Sequence, residues 1–165
     1  MAVQLKLATT EKECGSIADF FLDNLLCICK LEKVDNGTVS ILKEMKFFDC
    51  HKLYAFEKSG YEIEYLEENG NILVACIINK ISGEIPFFAY LIRKNAYVLG
   101  KLMLEILAQK YASSVKTGFF KIKALVMYKQ NYLKAGFKIT GSPVTKAGVT
   151  VIPMEFGIFE NNNER

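Results

Sequence analysis

Tyr132-Leu133-Lys134-Ala135-Gly136-Phe137 carries more structural information than any other stretch of this chain. A helical pattern over residues 128–135 ends at Gly136, a residue that readily takes the left-handed conformation closing many helices. Residues 119–126 before it and residues 149–159 after it are apolar, β-branched and aromatic runs that read as strands. The last third of the chain is therefore a strand, a short helix and a returning strand.

Working outward toward the N-terminus, Leu99, Leu102, Met103, Ile106 and Leu107 recur at helical spacing within residues 97–112. A strand over residues 86–92 precedes that helix, and Ser82-Gly83-Glu84 turns into the strand. Glu67-Glu68-Asn69-Gly70 reads as a tight hairpin turn between an alternating strand at residues 62–66 and a buried one at residues 71–79. Residues 3–7 alternate as a further strand. Thr10-Glu11-Lys12-Glu13 follows as a capping box, and Ile17, Phe21, Leu25 and Leu26 give the helix it opens an apolar stripe. Asp35-Asn36-Gly37 breaks the chain before a second helix at residues 39–47. The order β, α, α, β, β, β, α, β, α, β predicts a mixed-sheet α/β (α+β) fold, antiparallel in its first half.

With 165 residues and 51% hydrophobic content, one core is expected, over residues 1–160, with a disordered tail at 161–165. No run of eighteen apolar residues is present, so the expectation is a cytoplasmic protein with no membrane partner. Five cysteines, none spaced Cys-x-x-Cys, argue for reduced thiols rather than a disulfide framework or a metal site. Cys27 and Cys29 should face different sides of their helix. The charge is unevenly spread: residues 106–154 hold eight lysines and no acid, whereas residues 1–105 hold 12 basic and 15 acidic residues. An anionic ligand is expected to meet the C-terminal half.

The Tyr132 to Phe137 segment resembles the Tyr-x-Lys-x-Gly-Phe signature of the GNAT superfamily of N-acetyltransferases. A second segment, Asn95-Ala96-Tyr97-Val98-Leu99-Gly100, is similar to that family's pyrophosphate loop at the start of a helix. It departs from the family pattern, with Asn95 where arginine or glutamine stands and Val98 where the first glycine stands; Leu125 replaces a frequent asparagine. By motif the likeness covers residues 71–159. It implies a central, mostly antiparallel sheet of six or seven strands with a splayed parallel pair, flanked by about four helices. It also implies acetyl-CoA (coenzyme A) as cofactor and an amine-bearing acceptor. The cofactor would lie against Leu91, Ile92, Arg93, Lys94, Val98, Leu99, Gly100, Lys101 and Leu102, whose backbone amides and basic side chains suit phosphates.

In that scheme Tyr132 protonates the departing thiolate and an amide near Leu91 or Ile92 polarises the thioester carbonyl. Glu84 is the first candidate for the base that deprotonates the amine, with Glu64 and His51 behind it. Glu62 and Glu64 alternate with apolar residues as the wet face of a strand would. Tyr54, Phe56, Tyr61 and Phe87 are candidates to line the acceptor pocket. The altered loop leaves a second reading, a non-catalytic regulatory module on the same scaffold. Modest net charge and the lack of an RNA-binding motif argue against nucleic acid, with transfer RNA as an acceptor left open. Either a monomer or a homodimer fits.

Overall fold

The computed structural model describes residues 2–158, so the tail expected at 161–165 lies outside the described residues. β1 (Gln4–Leu7) leads into α1 (Glu11–Leu31). Thr10 Oγ1 accepts from the Glu13 amide at 3.2 Å, while the Glu13 carboxylate accepts from the Thr10 amide at 3.0 Å, the reciprocal cap that the sequence predicts. Ile17, Phe21, Leu25 and Ile28 form the buried stripe of α1.

α2 (Asn36–Lys43) begins three residues before its expected start, because Asp35 caps it by accepting from the Thr38 amide. A further helix, α3 (Cys50–Lys58), was not anticipated. Asp49 caps it through the amides of His51 and Lys52, Leu53 is its buried residue, and Tyr54 and Phe56 pack half-buried against the core.

β2 (Glu62–Glu68) and β3 (Asn71–Ile78) pair as the expected hairpin, with positive φ at Asn69 (51°) and Gly70 (79°). That pair of left-handed residues gives a turn whose twist matches the strands it joins. β4 (Phe87–Tyr90) completes an antiparallel sheet ordered β1-β2-β3-β4. After α4 (Tyr97–Tyr111) comes β5 (Phe119–Leu125), then α5 (Lys129–Ala135), β6 (Lys138–Ile139), β7 (Val144–Lys146) and β8 (Val149–Gly157). β5, β7 and β6 all pair with β8 in a second sheet.

The described residues hold eight strands and five α-helices, beside an expectation of six or seven strands and about four helices. The additions are α3 and the short β6 and β7, whose two and three residues are too few to show a period in sequence.

The two sheets meet at one place among the described residues, a parallel bridge between Glu84 and Lys121. The Ile85 amide donates to the Lys121 carbonyl at 2.8 Å, and the Lys121 amide to the Gly83 carbonyl at 2.9 Å. Beyond the bridge, β4 and β5 separate and leave a cleft between the sheets.

Gly83 permits this junction. Its φ is +75°, and a Cβ there would lie 2.4 Å from the Phe119 carbonyl oxygen and 2.7 Å from Val115 Cγ1. Backbone cannot retreat cheaply, so a Gly83→Ala chain should lose about 2–4 kcal/mol through left-handed strain and overlap together. Urea unfolding measures this; a loss below about 0.5 kcal/mol would mean that the junction tolerates a side chain.

Candidate active site

The cleft wall is β4. Because the Leu91 amide donates to the Leu73 carbonyl at 3.0 Å, the alternating pattern of an antiparallel ladder turns the polar groups of Phe88 and Tyr90 away from β3, toward the splay. Both carbonyls are occupied. Tyr132 donates its hydroxyl to the Phe88 carbonyl at 2.5 Å, and Asn24 Nδ2 donates to the Tyr90 carbonyl at 2.6 Å. Tyr128 in turn donates to Asn24 Oδ1 at 2.7 Å. The splay-facing amides keep their donors, so the edge can give hydrogen bonds but has few acceptors left.

Tyr132 is 1% exposed, and its ring stacks on Tyr128 at 5.4 Å and tilts against Phe88 at 5.8 Å. Burial pushes the hydroxyls of Tyr132, Tyr128 and Tyr90 well above the ordinary tyrosine value. A protonated Tyr132 at the cleft wall is the form that a proton donor needs.

The start of α4 stands at the other end of Tyr90. The Tyr90 ring packs against Gly100, where a Cβ would come within 2.6 Å of it, and its hydroxyl donates to the Asn131 carbonyl of α5 at 2.8 Å. One side chain therefore spans from the first turn of α4 to the residue preceding Tyr132.

The loop ahead of α4 differs from the expectation in which amides are open. Val98 donates to the Asn95 carbonyl at 3.2 Å, while Leu99 and Gly100 donate to the Ala96 carbonyl at 3.0 and 3.3 Å. Lys101 and Leu102 lie within the helical ladder. Among the described residues the open donors fall earlier: Ile92, Lys94, Asn95 and Tyr97 have no backbone acceptor.

Asn95 has φ 62° and Ala96 is right-handed (φ −67°); the Ala96 amide donates back to the Arg93 carbonyl at 3.1 Å, and the Asn95 and Tyr97 amides on either side of it keep no backbone acceptor. Asparagine tolerates that positive φ far better than arginine or glutamine does. Arg93, Lys94 and Lys101 are exposed around the loop, and Val98 is an exposed side chain (53%) on the first helical turn. Of the two amides expected to polarise a carbonyl, that of Leu91 is committed to β3 and that of Ile92 is open.

On the α1 side of the sheet the splay widens into a cavity of about 730 Å³. Phe47, Phe56, Tyr61 and Phe87 line it, as do Glu84 and Tyr132. Three of the four aromatics expected there are present; Tyr54 instead lies under the Lys58 ammonium, 5.0 Å from its ring centre. Glu84 is exposed in the cavity and accepts from the Tyr61 hydroxyl at 3.3 Å.

The two other base candidates stand elsewhere. His51 pairs with Glu11 at 2.7 Å on the surface. Glu64 is not on a wet face: it is fully buried, bound to Lys110 at 2.5 Å and to the Tyr111 hydroxyl, because α4 covers that side of β2. Burial opposes the Glu62 charge, yet donors on Tyr111 and Lys80 outweigh it and hold the Glu62 pKa below the ordinary range.

Asn24 and Tyr128 escaped the sequence reading. The signal was present in Asn24, a lone amide inside the apolar stripe of α1, where a buried polar group needs a partner.

No family model and no curated protein matches the sequence. Solved structures do match the fold. A GCN5-related N-acetyltransferase from Rhodopseudomonas palustris superposes with a TM-score of 0.66 at 12% identity, covering 95% of this chain and 96% of the other. The fold is that of the GNAT N-acetyltransferases. A putative acetyltransferase, yncA, from Salmonella typhimurium, solved with acetyl-CoA, gives 0.61 at 15% identity over 97% and 96% of the two chains. A chimeric spermidine N-acetyltransferase from Vibrio cholerae gives 0.59 at 11% over 99% and 100%. The splayed pair expected of the GNAT fold is the β4–β5 opening. Among the described residues no helix is long and apolar enough to cross a membrane.

Two measurements probe this wall. Asn24→Ala leaves the Tyr90 carbonyl and the Tyr128 hydroxyl buried without partners, so it should cost about 2–4 kcal/mol in urea unfolding; a neutral effect would show that neither bond matters.

Alkali gives the second. Below 10.0, the ordinary tyrosine value, the hydroxyls are protonated in both folded and unfolded chains; above it only the unfolded chain sheds its protons readily. Stability is therefore full below that pH and falls as pH rises past it. Part of the tyrosinate absorbance should appear only together with loss of helical circular dichroism. Complete ionisation of all tyrosines in a chain that keeps its helical signal would contradict the burial.

Proposed function

We propose that this chain moves the acetyl group of acetyl-CoA to a primary amine of a small molecule, peptide or protein. The observation that carries the reading is the splay itself, with open amides at the start of α4 and a buried, protonated Tyr132 in the same wall. Acetyl-CoA supplies an acetyl group activated as a thioester.

The amides of Asn95 and Tyr97, with Arg93, Lys94 and Lys101 around them, suit its phosphates. Leu91, Ile92 and the Val98 to Leu102 turn are the apolar and helical surface behind that loop. The Ile92 amide, which has no backbone acceptor, can donate to the carbonyl oxygen as charge builds on it. Glu84 takes the proton of the attacking amine in the cavity. Tyr132 gives its proton to the departing sulfur, exchanging its bond to Phe88 for one to the thiolate. The five unpaired thiols suit a reducing compartment such as the cytoplasm.

Acetyl-CoA at about a hundred times its dissociation constant should stabilise the chain by about 2.7 kcal/mol, read as a thermal shift. Tyr132→Phe should lower kcat roughly 100-fold with little change in the KM for acetyl-CoA, the signature of a lost proton donor. The reading falls if acetyl-CoA gives neither a thermal shift nor heat of binding, or if the phenylalanine variant turns over at the parent rate.

A further inference from the structure

The charge on the cavity is opposite in balance to what a polyamine needs. Lys46, Lys121 and Lys123 line it against Glu84 and Glu155. Among the described residues none of these three lysines has a carboxylate within 4.0 Å. Glu155 faces Lys121 across β5–β8 and Lys138 across β6–β8, so its charge lies between two cations already. A polycation entering here would meet more positive than negative charge.

Glu84 and Lys121 are the informative pair. They are Cα partners in the bridge that joins the two sheets, both line the cavity, and they make no salt bridge with each other. Glu84 instead takes the Tyr61 hydroxyl. An acid and a base held side by side by backbone but not spent on each other present a place for one carboxylate and one ammonium at neighbouring positions. Around them stand Phe47, Phe56 and Phe87, with Phe47 stacked on Phe87 at 5.2 Å and Lys46 over Phe56 at 4.5 Å. The lining thus offers an apolar aromatic pocket beside a charge pair.

From this arrangement we infer that the acceptor is a free α-amino acid with a large apolar or aromatic side chain, its amine at Glu84 and its carboxylate at Lys121. The inference deepens the acetyl-transfer reading and rests on it. In an α-amino acid, amine and carboxylate share one carbon, so neighbouring partners on the bridge can hold both at once. The side chain then enters the aromatic pocket, where it is removed from water. The same geometry also brings the amine to the candidate base. Lys121 and the phenylalanines set specificity without taking part in proton transfer.

Binding can be measured apart from transfer. Isothermal titration of the full chain, without acetyl-CoA, would compare L-phenylalanine, phenethylamine and spermidine. L-Phenylalanine should bind at least about tenfold more tightly than phenethylamine, which lacks only the carboxylate, and more tightly than spermidine. Lys121→Gln should abolish that preference by weakening L-phenylalanine alone. Lys134→Gln, an equal charge loss on α5 outside the cavity lining, should keep it.

Equal or tighter binding of phenethylamine or spermidine, no binding of any of the three, or a preference that survives Lys121→Gln would overturn the inference. L-Phenylalanine bound with the stated preference but never acetylated would instead overturn acetyl transfer and leave the binding assignment standing. Acetylation of spermidine in preference to L-phenylalanine would do the reverse.

Discussion

The molecule depends on two sheets whose facing strands are bridged by backbone, among the described residues, at one point. Two main-chain hydrogen bonds join Gly83 and Ile85 to Lys121, and only glycine fits the space beside the Phe119 carbonyl. Close approach here sets the angle at which β4 and β5 part. A continuous ladder would have sealed the cleft and satisfied every backbone group in it. The open ladder instead leaves splay-facing amides that need a guest or water, which is what a binding cleft in a sheet requires.

Such an edge would be a liability if left unguarded, and the tyrosines of the last helix region are its guard. Tyr132 and, through Asn24, Tyr128 occupy the outward carbonyls of β4. The Tyr132 hydroxyl meets the backbone directly and the Tyr128 hydroxyl meets the Asn24 amide, while the two stacked rings pack the wall around them. Function and stability therefore draw on the same side chains. The hydroxyl proposed to protonate a leaving group is also one that keeps a buried carbonyl satisfied at rest.

Much of this was legible in the chain. The Thr10 to Glu13 cap, the Asn69-Gly70 turn, the stripe of α1 and the closing unit around Gly136 each follow from local chemistry, and each is present. What was hidden is of two kinds. Short elements have no period to read: β6 and β7 are two and three residues long, and the β7–β8 turn uses Ala147 at φ 52°, a residue that gives no hint of a left-handed conformation. Long-range placement is the other kind. Glu64 has the alternation of a solvated strand face, but the helix that buries it arrives from residues 97–111, and nothing local to β2 announces that. At the start of α4 the amides of Val98, Leu99 and Gly100 are spent on the carbonyls of Asn95 and Ala96, a detail of loop geometry that residue order alone does not show.

Tyr90 closes a circuit. Its carbonyl accepts from Asn24, Asn24 accepts from Tyr128, the chain runs on three residues to Asn131, and the Asn131 carbonyl accepts from the Tyr90 hydroxyl. A loop of bonds with no free end couples its members, so their energies cannot be apportioned one by one. The strand bearing the cleft, the first helix and the last helix are thus tied by one continuous set of bonds, and the start of α4 rests on the same tyrosine ring.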